Sequence, residues 1–278
     1  MTRLLIVGGL TVDRFADGSS APGGAVIHAG RAAAAEGVPL TILTAAGDEP
    51  EAADGLAQLA AIGDLIRQPA RATVTFGHAD VDGRRVLTFL GGSAPIAPEV
   101  LPEPPVVALL APVADELPAS AVLELRETAR PRVTVLLLQG WLRRLRIGEP
   151  VRALRLDEVP DQSWEEFAVS DAVVLSIEDL ADPPADPSEA VAGLRQHLGE
   201  RPIILLTLGA GGYLVDDPAA DGIVDGMPDR AVQGVSTVGA GDAFGVALAI
   251  GLGRGMGAAA AARAATERVV RMLEGRLS

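Results

Sequence analysis

Short apolar runs alternate with Ala-rich stretches of helical spacing along most of this chain, and that alternation limits the fold more than any other feature. Residues 4–7, 40–45, 106–110, 133–138, 172–175 and 203–206 are apolar almost throughout. Strands buried on both faces read this way. Between them, residues 25–36, 51–62, 118–129 and 188–198 carry helical patterning, the first ending at Gly37. Strand, helix and strand in this order predict parallel βαβ units, with one sheet covered by helices on both faces. A hairpin interrupts the pattern: residues 72–79 and 85–90 flank the turn pair Asp82-Gly83. Thr73, Thr75, His78 and Asp80 interleave with apolar residues there, which predicts a second sheet exposed on one face. Residues 11–24, with Asp13, Asp17, Gly18, Pro22, Gly23 and Gly24, read as a loop.

Charge and composition remove several function classes. The chain has 278 residues, enough for one large α/β domain, and a net charge of −14. Such a surface argues against nucleic acid and anionic membrane as partners. With no cysteine there is no disulfide, thiolate metal site or cysteine nucleophile. Met1-Thr2-Arg3 leads straight into the first apolar run, and no run reaches the length of a membrane span. A cytoplasmic protein is the expectation. The Gly-x-x-x-x-Gly-Lys-Ser/Thr phosphate loop is absent.

The chemistry concentrates in Val235-Ser236-Thr237-Val238-Gly239-Ala240-Gly241-Asp242-Ala243-Phe244, which opens a helical pattern over residues 243–252. Glycines at a loop-to-helix junction leave N–H groups facing open space, and the helix dipole favours an anion there. Asp242 would repel that anion unless the ligand brings a metal or a proton. A carboxylate beside a phosphate cradle suggests a base next to a transferring phosphoryl group. The stretch from Thr237 to Phe244 resembles the C-terminal signature of the ribokinase-like (PfkB) sugar and nucleoside kinases, and further matches follow in order along nearly the whole chain.

That resemblance implies a three-layer α/β/α sandwich with a small β-sheet lid: one kinase domain over residues 1–278, the lid formed by about 11–22 and 71–92. It implies that Asp242 takes the proton from an acceptor hydroxyl, while Gly239, Ala240 and Gly241 offer N–H groups to the γ-phosphoryl. Gly241 stands where backbone approaches phosphate and where a positive φ would suit glycine. Gly23-Gly24, before the first helix, corresponds to the pair that holds the acceptor's hydroxyls, and Asp13 to the acceptor-binding Asp. His28 stands where the family commonly has Asn. Gln139 and Arg143 follow a strand's C-terminal end, where α/β sheets bind ligands, and are candidates to bind the acceptor's hydroxyls. Gln139-Gly140-Trp141-Leu142-Arg143 also resembles a pattern of the inositol-kinase branch. Ser176 and Asp179 replace the family's Asn-x-x-Glu, which serves Mg²⁺ and phosphate. Water could bridge the shorter Asp179, or adjacent Glu178 could substitute, so the metal contacts stay open. Thr207-Leu208-Gly209-Ala210-Gly211-Gly212 resembles the loop that approaches the nucleotide, placing Thr207, Gly209, Gly212 and Thr237 at the cofactor. The family's cation-holding Asp is replaced by Ser236, so potassium activation is not expected. The final helical stretch, residues 256–273, would flank the adenine.

The expected activity is ATP- and Mg²⁺-dependent phosphorylation of a hydroxyl on a small neutral sugar or polyol, an inositol-like acceptor included. The expected partner is a small-molecule acceptor, with a homodimer through the lid as the assembly the resemblance allows. A nucleoside kinase is the nearest alternative, disfavoured by an aromatic content of 3%. A nucleotide- or metabolite-binding protein without catalysis is the alternative from another class. It is motivated by His28, Ser176, Asp179 and Ser236, and opposed by the retained Asp242.

Overall fold

The computed structural model describes residues 2–81, 84–98, 101 and 104–275. Its centre is a nine-stranded sheet. From one edge the strands run Ile223–Gly226, Tyr213–Asp216, Ile203–Thr207, Ala172–Ser176, Val133–Leu137, Val107–Ala111, Leu4–Gly8, Leu40–Ala46 and Asp64–Pro69. The last seven are mutually parallel, and the first two are antiparallel additions. Leu4–Gly8 and Val107–Ala111 are buried along their whole length, as strands covered on both faces must be.

Helices Ala25–Ala35, Pro50–Ala60, Ala240–Gly253 and Ala258–Glu274 pack together as one outer layer. Helices Ala121–Thr128, Asp161–Ala168 and Pro187–Leu198 form the other. The three-layer α/β/α arrangement read from the sequence is the one observed. The chain leaves Leu4–Gly8 toward one edge and returns to Val107–Ala111 on its other side. The sheet therefore has a switch point between these two strands, and at such a point the loops beyond the carboxyl ends open a crevice.

A second sheet of four strands, Ser20–Gly23, Thr11–Phe15, Ala72–Val81 and Arg84–Ser93, stands over that end. Here the structure corrects the reading of residues 11–24 as a loop. Thr11–Phe15 pairs in parallel with Ala72–Val81, Thr11 opposite Val74 and Phe15 opposite His78. Asp17 and Gly18 occupy only the connecting turn, where Asp17 accepts hydrogen bonds from the N–H and hydroxyl of Ser19. Thr11–Phe15 also pairs with Ser20–Gly23 as an antiparallel hairpin, but turn-forming residues crowd both strands, so no local pattern announces them. The Asp82-Gly83 turn lies outside the described residues.

The polar set of this sheet is corrected as well, because it does not form one solvated face. Thr73 is buried, donates to Glu49 Oε2 at 2.8 Å and accepts from the Gly47 N–H at 2.9 Å. Register shifts around Thr75 break the simple alternation that the sequence reading assumed. Strands Asp64–Pro69, Tyr213–Asp216 and Ile223–Gly226 were not expected from the sequence. They are edge or near-edge strands with apolar runs of only two or three residues, and Asp64–Pro69 and Ile223–Gly226 bury no residue fully.

Candidate active site

Beyond the carboxyl ends of the central strands lies a cavity of about 650 Å³, bordered by both sheets and by the first turn of helix Ala240–Gly253. Asp13, Gly24, His28, Gln139, Arg143, Ser176, Glu178, Asp179, Thr207, Gly209, Gly212, Thr237, Gly239, Ala240, Gly241 and Asp242 all border it. Gly23 does not. Its part is steric: a Cβ there would collide with the Asp13 carboxylate and come within 2.8 Å of Thr11 Oγ1.

The helix start is shaped by Gly239, whose φ of 78° only glycine adopts at low cost. A Cβ on Gly239 would also come within 2.7 Å of His28 Cγ, so the two helix starts lock together at this point. Gly24, with φ 89°, has the same part before helix Ala25–Ala35, and a Cβ there would strike the Gly9 carbonyl oxygen. Gly241 differs from its sequence reading. The positive φ belongs to Gly239, and a Cβ at Gly241 would meet nothing within 4 Å, pointing into open space. Ala240 donates its N–H to the Thr237 carbonyl at 2.9 Å. The amides of Gly241 and Asp242 precede the first helix-internal donor, the Ala243 N–H bonded to the Gly239 carbonyl, so they are the ones a ligand anion would meet.

Asp242 sits in that first turn at the floor of the cavity. Burial disfavours its charged form, and Asp179 nearby opposes ionisation further, while Arg143 pulls the other way. The balance pushes its pKa from 3.8 up to about 7. A carboxyl with this pKa exchanges protons readily near neutrality.

Two loops bring these groups together. Ser176 and Asp179 form a reciprocal cap: Asp179 Oδ2 accepts from the Ser176 N–H at 3.1 Å, and Ser176 Oγ accepts from the Glu178 N–H at 3.3 Å. Asp179 Oδ1 accepts from Gln139 Nε2 at 2.7 Å. The 139–143 segment thereby ties neighbouring strand ends together. Trp141 donates to the Leu117 carbonyl at 2.7 Å and packs on Phe167 at a ring distance of 4.9 Å. Arg143 donates to the Val113 carbonyl at 2.9 Å. Glu116, fully buried, accepts from the N–H groups of Val113 and Ala114 and so fixes the same loop. Burial raises the pKa of Glu116, and those hydrogen bonds hold it in place.

Other cavity residues were not singled out as site residues from the sequence. Thr11, Phe76, His78 and Leu87 come from the small sheet, and Pro228, Arg230, Ala231 and Val232 from the segment before the glycine signature. Thr266, Val269, Val270 and Leu273 come from the last helix, the stretch expected beside an adenine. Only the register of the small sheet could have identified His78.

No family model matches the sequence, and no curated protein does. Solved structures do match. A pyrophosphate-dependent kinase in the ribokinase family, complexed with a pyrophosphate analog and myo-inositol, superposes with a TM-score of 0.75 at 18% identity, over 98% of this chain and 95% of that one. Ribokinase of Arabidopsis thaliana, complexed with ribose and ATP, gives 0.72 at 17% identity, over 99% and 93%. Fructokinase of Vibrio cholerae in apo form gives 0.68 at 20% identity, over 99% of both chains. The chain has the ribokinase-like fold. In this ribokinase-like chain the cavity lies at the switch point of the large sheet, with the small sheet standing over it.

Among the described residues, no group of three acidic or histidine side chains could hold a metal ion. Mg²⁺ carried by a nucleotide asks for less, since it keeps several waters and takes one or two carboxylates. Glu178 and Asp179 border the cavity and fit that demand.

Proposed function

We propose that this chain is a phosphotransferase that moves the γ-phosphoryl group of ATP to a hydroxyl of a small neutral sugar or polyol. The observation that carries the reading is Asp242: a carboxylate with pKa about 7 in the first turn of a helix whose leading amides face the same cavity. The acceptor hydroxyl loses its proton to Asp242 as its oxygen bonds to phosphorus, and the bond from phosphorus to the ADP oxygen breaks. The Gly241 and Asp242 amides meet the charge on the phosphoryl oxygens. Mg²⁺, approached through water by Glu178 or Asp179, would supply neutralisation of the phosphates.

ATP is preferred to pyrophosphate as donor because the cavity lining also includes the apolar side chains of Val232, Val269, Val270 and Leu273. Those side chains suit a base and give nothing to pyrophosphate. The small sheet serves in this reading as a lid of about residues 11–22 and 71–92, within a single domain over 1–278. Its outer side, where Val81 and Leu90 are exposed, supports a homodimer through the lid. No helix among the described residues is long and apolar enough to cross a membrane, and the acceptor is the only partner the reading needs.

The test crosses two donors, ATP and pyrophosphate, with neutral polyols, pentoses, hexoses and nucleosides. Phosphoryl transfer from ATP to a polyol or sugar is expected. Transfer to nucleosides alone would replace the acceptor class. Donor binding without transfer to any acceptor would leave a non-catalytic binding protein.

A further inference from the structure

The acceptor side of the cavity holds a pair of side chains that the chemistry above does not use together. Asp13 and His78 reach it from two adjacent strands of the small sheet. His78 Nε2 lies 3.2 Å from Asp13 Oδ2, and their side chains are only 7% and 17% exposed. Both are held in place. Thr11 Oγ1 donates to Asp13 Oδ1 at 2.9 Å. The absent side chain of Gly23 leaves the room that the carboxylate occupies. Phe15 stacks on the His78 ring, centroids 5.2 Å apart and planes 29° apart, which fixes the plane in which Nε2 points.

An ionised Asp13 can only accept hydrogen bonds, whereas a protonated Nε2 can only donate. Each oxygen of Asp13 has lone pairs beyond the one already engaged. A hydroxyl group is the small group that donates and accepts at once. The geometry points to His78 as a specificity-determining residue that, with Asp13, clamps one hydroxyl of the acceptor: the hydroxyl donates to Asp13 Oδ2 and accepts from the single Nε2–H of His78, replacing the direct contact between the two side chains. The clamped hydroxyl is not the one phosphorylated, because Asp242 belongs to the helix start on the floor while this pair belongs to the sheet above it. The acceptor therefore carries at least two hydroxyls. This assignment rests on the phosphotransferase reading for the meaning of the acceptor.

The test compares wild type, His78→Leu and His78→Gln in steady-state transfer from ATP to a polyol or sugar that the wild type accepts. In parallel, the imidazole ¹⁵N signals of the wild type are followed as myo-inositol or ribose is added. His78→Leu is expected to raise the acceptor KM about tenfold to a hundredfold, the loss of one buried hydrogen-bonding partner, with the ATP KM little changed. The Gln amide can restore a donor, so His78→Gln should recover much of that loss. The His78 Nε2 signal should move on acceptor addition. An unchanged acceptor KM in His78→Leu, equal rises for both substrates, or an unmoved His78 signal at saturating acceptor would overturn the clamp. If His78→Leu fails to fold, the Gln variant and the imidazole signal still decide. If the wild type phosphorylates none of these compounds, the phosphotransferase reading falls. The imidazole signal then judges the clamp alone, a shift sustaining it and silence rejecting it.

Discussion

Asp242 is ionised only at a cost, and that cost gives two measurable consequences. The folded chain holds the Asp242 proton up to about pH 7, whereas the unfolded chain releases it near 3.8. Stability associated with this group is thus present at low pH and lost as pH rises from about 4 through 7. Asp242→Asn keeps the shape and removes the penalty. It should raise the unfolding free energy by about 1–3 kcal/mol at about pH 8, and by clearly less at about pH 5. Denaturant melts at the two pH values check this, and equal gains at both would show that the carboxyl titrates normally. The same substitution should lower kcat by about 10²–10⁴-fold with donor affinity nearly unchanged. In the wild type, kcat/KM should fall with unit slope below about pH 7 as the base is protonated. A flat profile across that range would move the base elsewhere. The carboxylate and its neighbouring glycines were legible in the sequence because they sit together in one motif. The pKa was not, because Asp179 and Arg143 come from other strand ends and meet Asp242 only in the fold.

The start of helix Ala240–Gly253 separates a glycine needed for the fold from one that the proposed function needs for the donor. Gly239 has φ 78° and His28 directly against it, whereas a side chain at Gly241 would enter open cavity. Gly239→Ala should therefore destabilise the protein, since a left-handed residue with a Cβ costs about 1–2 kcal/mol before the contact with His28 is counted. Gly241→Val should leave the melting temperature nearly unchanged while donor turnover collapses. Thermal melts and ATP kinetics on both variants test the contrast. A destabilised Gly241→Val with normal kinetics would reverse the assignment. At this scale the parallel strands and their helices were legible because burial on both faces writes continuous apolar runs. The strands Thr11–Phe15 and Ser20–Gly23 were not. Asp13, Asp17, Gly18, Pro22 and Gly23 have turn chemistry, which masks the hairpin these two strands form, and the second partner of Thr11–Phe15, Ala72–Val81, lies far along the chain. His78 was misplaced for the same reason: alternation alone put it on a solvated face, and the sheet register puts it against Asp13.

The whole chain carries a charge of −14, and all 23 of its cationic side chains are arginine. Of these, only Arg143 and Arg230 border the cavity among the described residues. Arg143 donates to the Val113 carbonyl, and Arg230 is paired with Glu274. Under the proposed function, a polyanionic donor approaches a surface that repels it and enters a site where backbone amides and helix ends supply much of the positive potential. Two consequences separate this arrangement from a lysine- or arginine-lined phosphate site. Mg²⁺-free ATP should bind poorly, so ATP with a chelator should barely move the melting temperature. MgATP at about 100 times its Kd should add about 2.7 kcal/mol. Raising salt from about 20 mM to about 200 mM screens the repulsion, so the KM for MgATP should stay level or fall. A site that relied on a cluster of cationic side chains would instead lose affinity with salt. Tight binding of metal-free ATP, weakening steeply as salt is added, would show that arginines carry the donor after all. Arg230 would then be the first to replace, because its position on the cavity wall lets it exchange Glu274 for phosphate.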